Sequence, residues 1–137
     1  MPSPPPDARL AQVALPVPVD SLFSYAVPAA LDDAVRPGCR VLVPFGARRM
    51  AGLVVARGGP GAERLRAIER LLDPEPVVSE GLIALLVDAA RDVYCPVGLA
   101  LACATPSGST PRAQPGFALT ARGREALARG AVSPALR

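Results

Sequence analysis

From Leu10 to Leu72 the chain alternates short apolar runs with Pro and Gly punctuation. The runs are Leu10–Pro16, Phe23–Pro28, Arg40–Phe45, Ala51–Arg57 and Leu65–Leu72. Each has strand length, and Val enrichment with flanking turn residues predicts β rather than helix. Val41 and Val43 fall on one face, with Leu42 on the other. That strand closes at Pro44-Phe45-Gly46, where Gly permits a tight turn. Gly58-Gly59-Pro60-Gly61 reads as a flexible connection between the fourth and fifth runs. Five short strands at this spacing predict a small, twisted, barrel-like sheet.

The pattern changes at Asp73-Pro74-Glu75-Pro76. Ser79 then reads as an N-cap with Glu80 in the first turn. Leu82, Leu85, Leu86, Ala89, Ala90 and Val93 follow helical spacing and predict one apolar stripe docked on the sheet. Pro96 is expected to stop this helix, and Val97 to Ala104 to form a second, shorter one. The fold class is therefore mainly β with helices (α+β): a barrel-like sheet followed by a two-helix part. The division is a Pro-rich leader over 1–9, a domain over 10–104, a linker over 105–115 and the start of another domain over 116–137. In that last part Phe117–Thr120 reads as a strand, and Thr120 as the cap of a helix over 121–129. One strand and one helix cannot bury a core, so the polypeptide is expected to be a fragment or a truncated product.

Composition then narrows the chemistry. Among 137 residues there is no His, Lys, Asn or Trp. Ser-His and Cys-His catalytic units, His-based metal sites and a P-loop lysine are all excluded. Cys39, Cys95 and Cys103 lack CxxC spacing and read as three free thiols in a reducing cytoplasm. No stretch is long and apolar enough for a signal peptide or a membrane span. All 15 basic residues are Arg, and residues 34–72 carry eight of them against two Glu, a net +6. That segment is suited to a basic face for a polyanion, although a solvated arginine surface accounts for it equally.

Three groups of residues bear on binding. Phe23 and Tyr25, at i and i+2, point to one face of a strand, either as a wall for stacking a base or as core. Ser24 points the other way unless the strand bends. Gly46 allows close backbone approach by a ligand, with Arg48 and Arg49 directly after it. Arg64, Arg66 and Arg70 are evenly spaced and would share a strand face, for phosphate contact or for protecting an edge. The carboxylates of Asp32-Asp33 and of Asp73 and Glu75 lie in turn-like sequence without a basic or nucleophilic partner. Acid–base catalysis is not expected from them.

Val13-Ala14-Leu15-Pro16-Val17-Pro18-Val19 and Leu22-Phe23-Ser24-Tyr25-Ala26-Val27-Pro28 resemble the opening of the primosomal protein N′ family, the PriA replication-restart helicases. Pro37–Gly46, Gly52-Leu53-Val54-Val55, Leu65-Arg66-Ala67-Ile68, Leu72–Val77 and Tyr94-Cys95-Pro96-Val97-Gly98 continue the resemblance in the family's order over residues 10–106. Phe117–Arg129 resembles the start of the winged-helix domain that follows there. The resemblance implies a domain that binds the 3′ end of the nascent leading strand at a stalled or abandoned fork and serves replication restart and primosome assembly. The implied pocket is Phe23, Ser24, Tyr25, Gly46 and Arg66, with Arg48, Arg49 and Arg64 on the DNA backbone. Implied partners are forked DNA with a 3′-OH end, single-strand-binding protein and other restart proteins, in the cytoplasm and away from membranes.

One departure stands out: the family usually carries Asp where this chain has Ser24. A carboxylate accepts a charge-assisted hydrogen bond from a 3′-hydroxyl, and a Ser hydroxyl forms a neutral, shorter-reaching one. End discrimination is expected to weaken by about 1 kcal/mol. The family's ATP-dependent 3′–5′ helicase uses ATP, Mg and Zn through regions with no counterpart here, so these residues are expected to need no cofactor and to catalyse nothing. The rival expectation is a protein-interaction module that has lost end-specific DNA binding.

Overall fold

The computed structural model describes residues 9–61, 64–105, 116 and 118–130. Among the described residues five strands form: β1 (Leu10–Ala14), β2 (Phe23–Ala26), β3 (Arg40–Phe45), β4 (Arg48–Arg57) and β5 (Arg70–Leu71). They make one antiparallel sheet in the order β2-β1-β4-β3-β5. The ladder is not closed, yet its two edges approach each other. The Ala26 N–H donates to Arg66 O at 2.9 Å and the Ile68 N–H to Ala26 O at 2.9 Å, an isolated parallel bridge just before β5. This junction gives the sheet its barrel-like curl.

The curl creates an inside and an outside, and period-2 alternation assigns residues to each. Ala11, Val13, Tyr25, Val41, Val43 and Val54 face inward and pack with Leu15, Val27, Val35 and Ile68. Ala14 and Leu53 face outward and pack beneath the helices with Val78, Ile83, Val97 and Leu101. The expected face for Val41 and Val43 is the buried one.

The later strands differ most from the sequence reading. The fourth strand begins at Arg48, three residues earlier than its apolar run, because pairing with β3 continues to Phe45↔Arg48. The fifth is only Arg70–Leu71, since the chain first bridges β2 at Ala67 and then crosses to β3. Arg64 and Arg66 therefore precede the strand, and the alternation that would align them with Arg70 does not apply. Residues 118–120 form no strand, Phe117 lies outside the described residues, and of the linker only Thr105 lies within them.

Helix α1 (Glu80–Asp92) starts at Ser79, whose hydroxyl accepts from the Leu82 N–H. Helices α2 (Val97–Ala102) and α3 (Ala121–Ala128) follow, and Thr120 caps α3 through the Gly123 N–H. The apolar stripe of α1 is rotated from the expected one. Ile83 and Ala90 are buried, with Leu86 and Val87 packed beside them. Leu82, Leu85 and Val93 are exposed, Val93 by 71%. Two adjacent helical rows are apolar in sequence, and docking selects the one holding Ile83. The helix ends before Pro96: Cys95 N–H donates to Ala90 O and Tyr94 N–H to Arg91 O, with Tyr94 at φ 54°. That is a Schellman ending with Tyr where Gly is usual. Helix α2 lies against the end of β1 so closely that a Cβ on Gly98 would clash with Leu15 O.

Carboxylates that looked unpartnered in sequence have arginines in space. Asp73 accepts from the Arg40 backbone N–H at 3.1 Å and from Arg40 Nε and Nη2 at 2.7 Å each. Asp32 pairs with Arg57, whose guanidinium also donates to the Asp32 and Val35 carbonyls. Both pairs join segments far apart in sequence and are structural. No described helix is long and apolar enough to cross a membrane.

Candidate nucleic-acid interface

The candidate site is built on the β3–β4 hairpin. Phe45↔Arg48 closes it, leaving Gly46-Ala47 as a two-residue loop. Gly46 has φ +59° while Ala47 does not enter positive φ, the pattern of a type II′ turn with Gly at its first position. A Cβ on Gly46 would meet nothing within 4 Å, so the Gly is required by backbone conformation and the turn stays open to solvent.

Two long-range hydrogen bonds hold this turn. Tyr25 Oη donates to Pro44 O at 2.8 Å, and Arg66 Nη1 donates to Gly46 O at 2.8 Å. Burial pushes the Tyr25 hydroxyl above its ordinary pKa, while the nearby Arg66 charge opposes the rise. The phenol therefore stays neutral and a donor at physiological pH. Phe23 meets Phe45 edge to face, with centroids 5.2 Å apart and planes at 80°. Tyr25 is 5% exposed, so its ring belongs to the core; Phe23 is half-buried beside it. The expected shared face of the two aromatics is present.

Around the turn lies an open cleft of about 450 Å³, lined by Pro44, Gly46, Ala47, Arg48, Arg49, Arg66 and Glu69. Its size is that of a small-ligand site, and three guanidinium groups oppose one carboxylate. Arg49 Nε lies 2.8 Å from Glu69 Oε2 in an exposed pair. Arg48 forms no ion pair among the described residues. The arrangement can hold an anion against Arg48 and Arg66 while a flat group approaches the Gly46 backbone.

The fold thus brings Gly46, Arg48, Arg49 and Arg66 into one cleft, with Tyr25 fixing it from below. Phe23, Ser24, Tyr25 and Arg64 do not line it. Ser24 lies on the opposite face of β2, where its hydroxyl accepts from Gln12 Nε2 at 2.9 Å and donates to Pro60 O at 3.0 Å. Arg64 is an exposed turn residue. Glu69 was missed by sequence reasoning, which counted it only as charge. Its closeness to Arg49 arises when its N–H docks on Leu42 O, a pairing no local signal announces.

An open, curled antiparallel sheet with an arginine-lined hairpin cleft is the frame of a small nucleic-acid-binding domain. The chain belongs to the PriA family described as the 3′DNA-binding domain (3′BD), which matches residues 12–106. Replication restart protein PriA of Bacillus subtilis is 36% identical over 70 residues, covering 49% of this chain and 9% of that protein. The Treponema pallidum protein of the same name is 31% identical over 109 residues, covering 74% and 17%. The probable replication restart protein PriA of Deinococcus radiodurans is 40% identical over 92 residues, covering 64% and 10%. The chain spans 9–17% of the length of these relatives.

Proposed function

We propose that this domain binds the 3′ end of the nascent leading strand at stalled or abandoned replication forks, as the recognition module of a PriA-type helicase serving restart and primosome assembly. The observation that carries this reading is the Gly46 turn held by Arg66 beside Arg48, in a cleft open to solvent. In this reading a terminal nucleotide sets its phosphate on the guanidinium groups and its sugar or base against the turn backbone. The domain contributes binding and no catalysis. In this reading any motor activity lies outside the domain, and single-strand-binding protein and other restart proteins are its expected company in the cytoplasm.

Fluorescence anisotropy at fixed low salt tests this, comparing a fork whose leading strand ends at the junction with one lacking that strand. The expected result is tighter binding to the first fork. Arg66→Ala is expected to cost about tenfold and to lower the salt slope by roughly one phosphate contact. Equal binding to both forks overturns end recognition and leaves a nonspecific electrostatic contact, whereas no binding to either favours a protein-interaction module, a reading to which the internally bonded Ser24 hydroxyl also lends support.

A further inference from the structure

The Gly58-Gly59-Pro60-Gly61 segment, a flexible connection by its sequence, is fastened to the sheet. The Gly58 N–H donates to Leu10 O at 2.7 Å, and Gly58 O accepts from Gln12 Nε2 at 3.3 Å. Pro60 O accepts from Ser24 Oγ at 3.0 Å. Between them Gly59, at φ +117°, passes so close to the Gln12 amide that a Cβ there would overlap it. Six residues after Pro60, the Arg66 carbonyl accepts from the Ala26 N–H at 2.9 Å. Leu10 and Gln12 belong to β1, Ser24 and Ala26 to β2. The chain leaving β4 is thus carried across β1 to the β2 edge, where Arg66 reaches Gly46 O.

The Leu10 and Ala26 contacts are backbone ones that any residue could make; Gln12 and Ser24 contribute side chains. Ser24 stands at the centre, since its hydroxyl accepts from Gln12 Nε2 at 2.9 Å and sends its own proton to Pro60 O. A hydroxyl does both at once. A carboxylate in its place could only accept, and would set its charge against the Pro60 carbonyl. Neither Gln12 nor Ser24 lines the cleft.

We propose that Ser24 is a positioning residue for the cleft: with Gln12 it latches the 58–60 segment onto β1 and β2, and so fixes where Arg66 meets the Gly46 turn. The inference rests on the reading of the cleft as a DNA site and adds a residue that acts there through Arg66, without touching DNA.

The test compares the full chain with Ser24→Ala, Ser24→Asp and Ser24→Thr, first without DNA. The Gly46 and Ala47 amide resonances should move in Ser24→Ala and Ser24→Asp toward their positions in Arg66→Ala. In Ser24→Thr, which keeps the hydroxyl, they should stay near native. In fork binding by anisotropy, Ser24→Ala and Ser24→Asp should each lose about fivefold, the scale of one neutral hydrogen bond, and Ser24→Thr should bind like the native chain. Added to Arg66→Ala, Ser24→Ala should change affinity little, because both act through one contact. Losses that multiply, or a fork bound more tightly by Ser24→Asp, make Ser24 an independent DNA contact and overturn the proposal. So do Gly46 and Ala47 resonances that stay in place in Ser24→Ala. If the native chain binds no fork, moved resonances still establish the latch, and the DNA-site reading alone falls.

Discussion

The helix-covered side of the sheet and the hairpin end use the same residue type for opposite purposes. Beneath the loops leading to α1, Arg40 is 15% exposed at its side chain and meets Asp73 through its backbone N–H, Nε and Nη2. At the hairpin, Arg66 is exposed and donates to a single backbone carbonyl, with Arg48 beside it. Burial with a matched carboxylate makes an arginine part of the scaffold, because an unpaired charge there would be costly. Exposure beside a backbone turn leaves its charge available to a ligand. The contrast teaches that the arginine-rich composition is not itself a binding signal; the tertiary neighbours divide the arginines between the two roles.

The sharpest way to break this division lies on the covered side. Gly98→Ala places a Cβ against Leu15 O and should destabilise the domain by roughly 3 kcal/mol, read as the shift in urea midpoint. Asp73→Asn comes next, at about 2 kcal/mol near neutral pH, by the same measurement. The Arg40 hydrogen bonds hold the Asp73 carboxyl below its ordinary pKa of 3.8. Its contribution is therefore complete above that value and is lost as pH falls through the lower folded value. The variant should flatten this acid limb of the stability curve, measured by chemical unfolding at stepped pH.

Tyr94→Gly is expected to stabilise by about 1 kcal/mol in thermal unfolding. The residue sits at φ 54° and is 95% exposed, so relieving the left-handed backbone removes little packing. Least affected should be Arg66→Ala, whose melting should change by less than about 0.5 kcal/mol even as DNA binding falls. A large loss of stability in that variant would move Arg66 to the scaffold side of the comparison.

Much of the sheet was legible along the chain because its strands are short, Val-rich and bounded by Pro and Gly. Arg40–Phe45 matches its run at both ends, and Ser79 and Thr120 cap the helices they were expected to cap. The Gly46 turn and the flanking arginines were also legible, since a II′ loop and a basic pair are local features. The α1 stripe was not. Leu82 and Leu85 are as apolar as Ile83 and Leu86, and only the surface offered by Leu53, Val97 and Leu101 selects between the rows.

What the sequence determined alone was most of the elements between Leu10 and Ala102, the exclusion of His- and Lys-dependent chemistry and the family pattern. These follow from residue type and spacing within a few positions. Strand alternation alone already turned Ser24 to the opposite face. Tertiary structure decided which arginines are neutralised and that Glu69 enters the cleft. Those outcomes depend on backbone pairings between segments far apart in the chain: Arg40 with Asp73, Ala26 with residues 66–68, and Leu42 with Glu69. Hydrogen-bond register across such distances is set by packing of the whole sheet, and no local pattern encodes it.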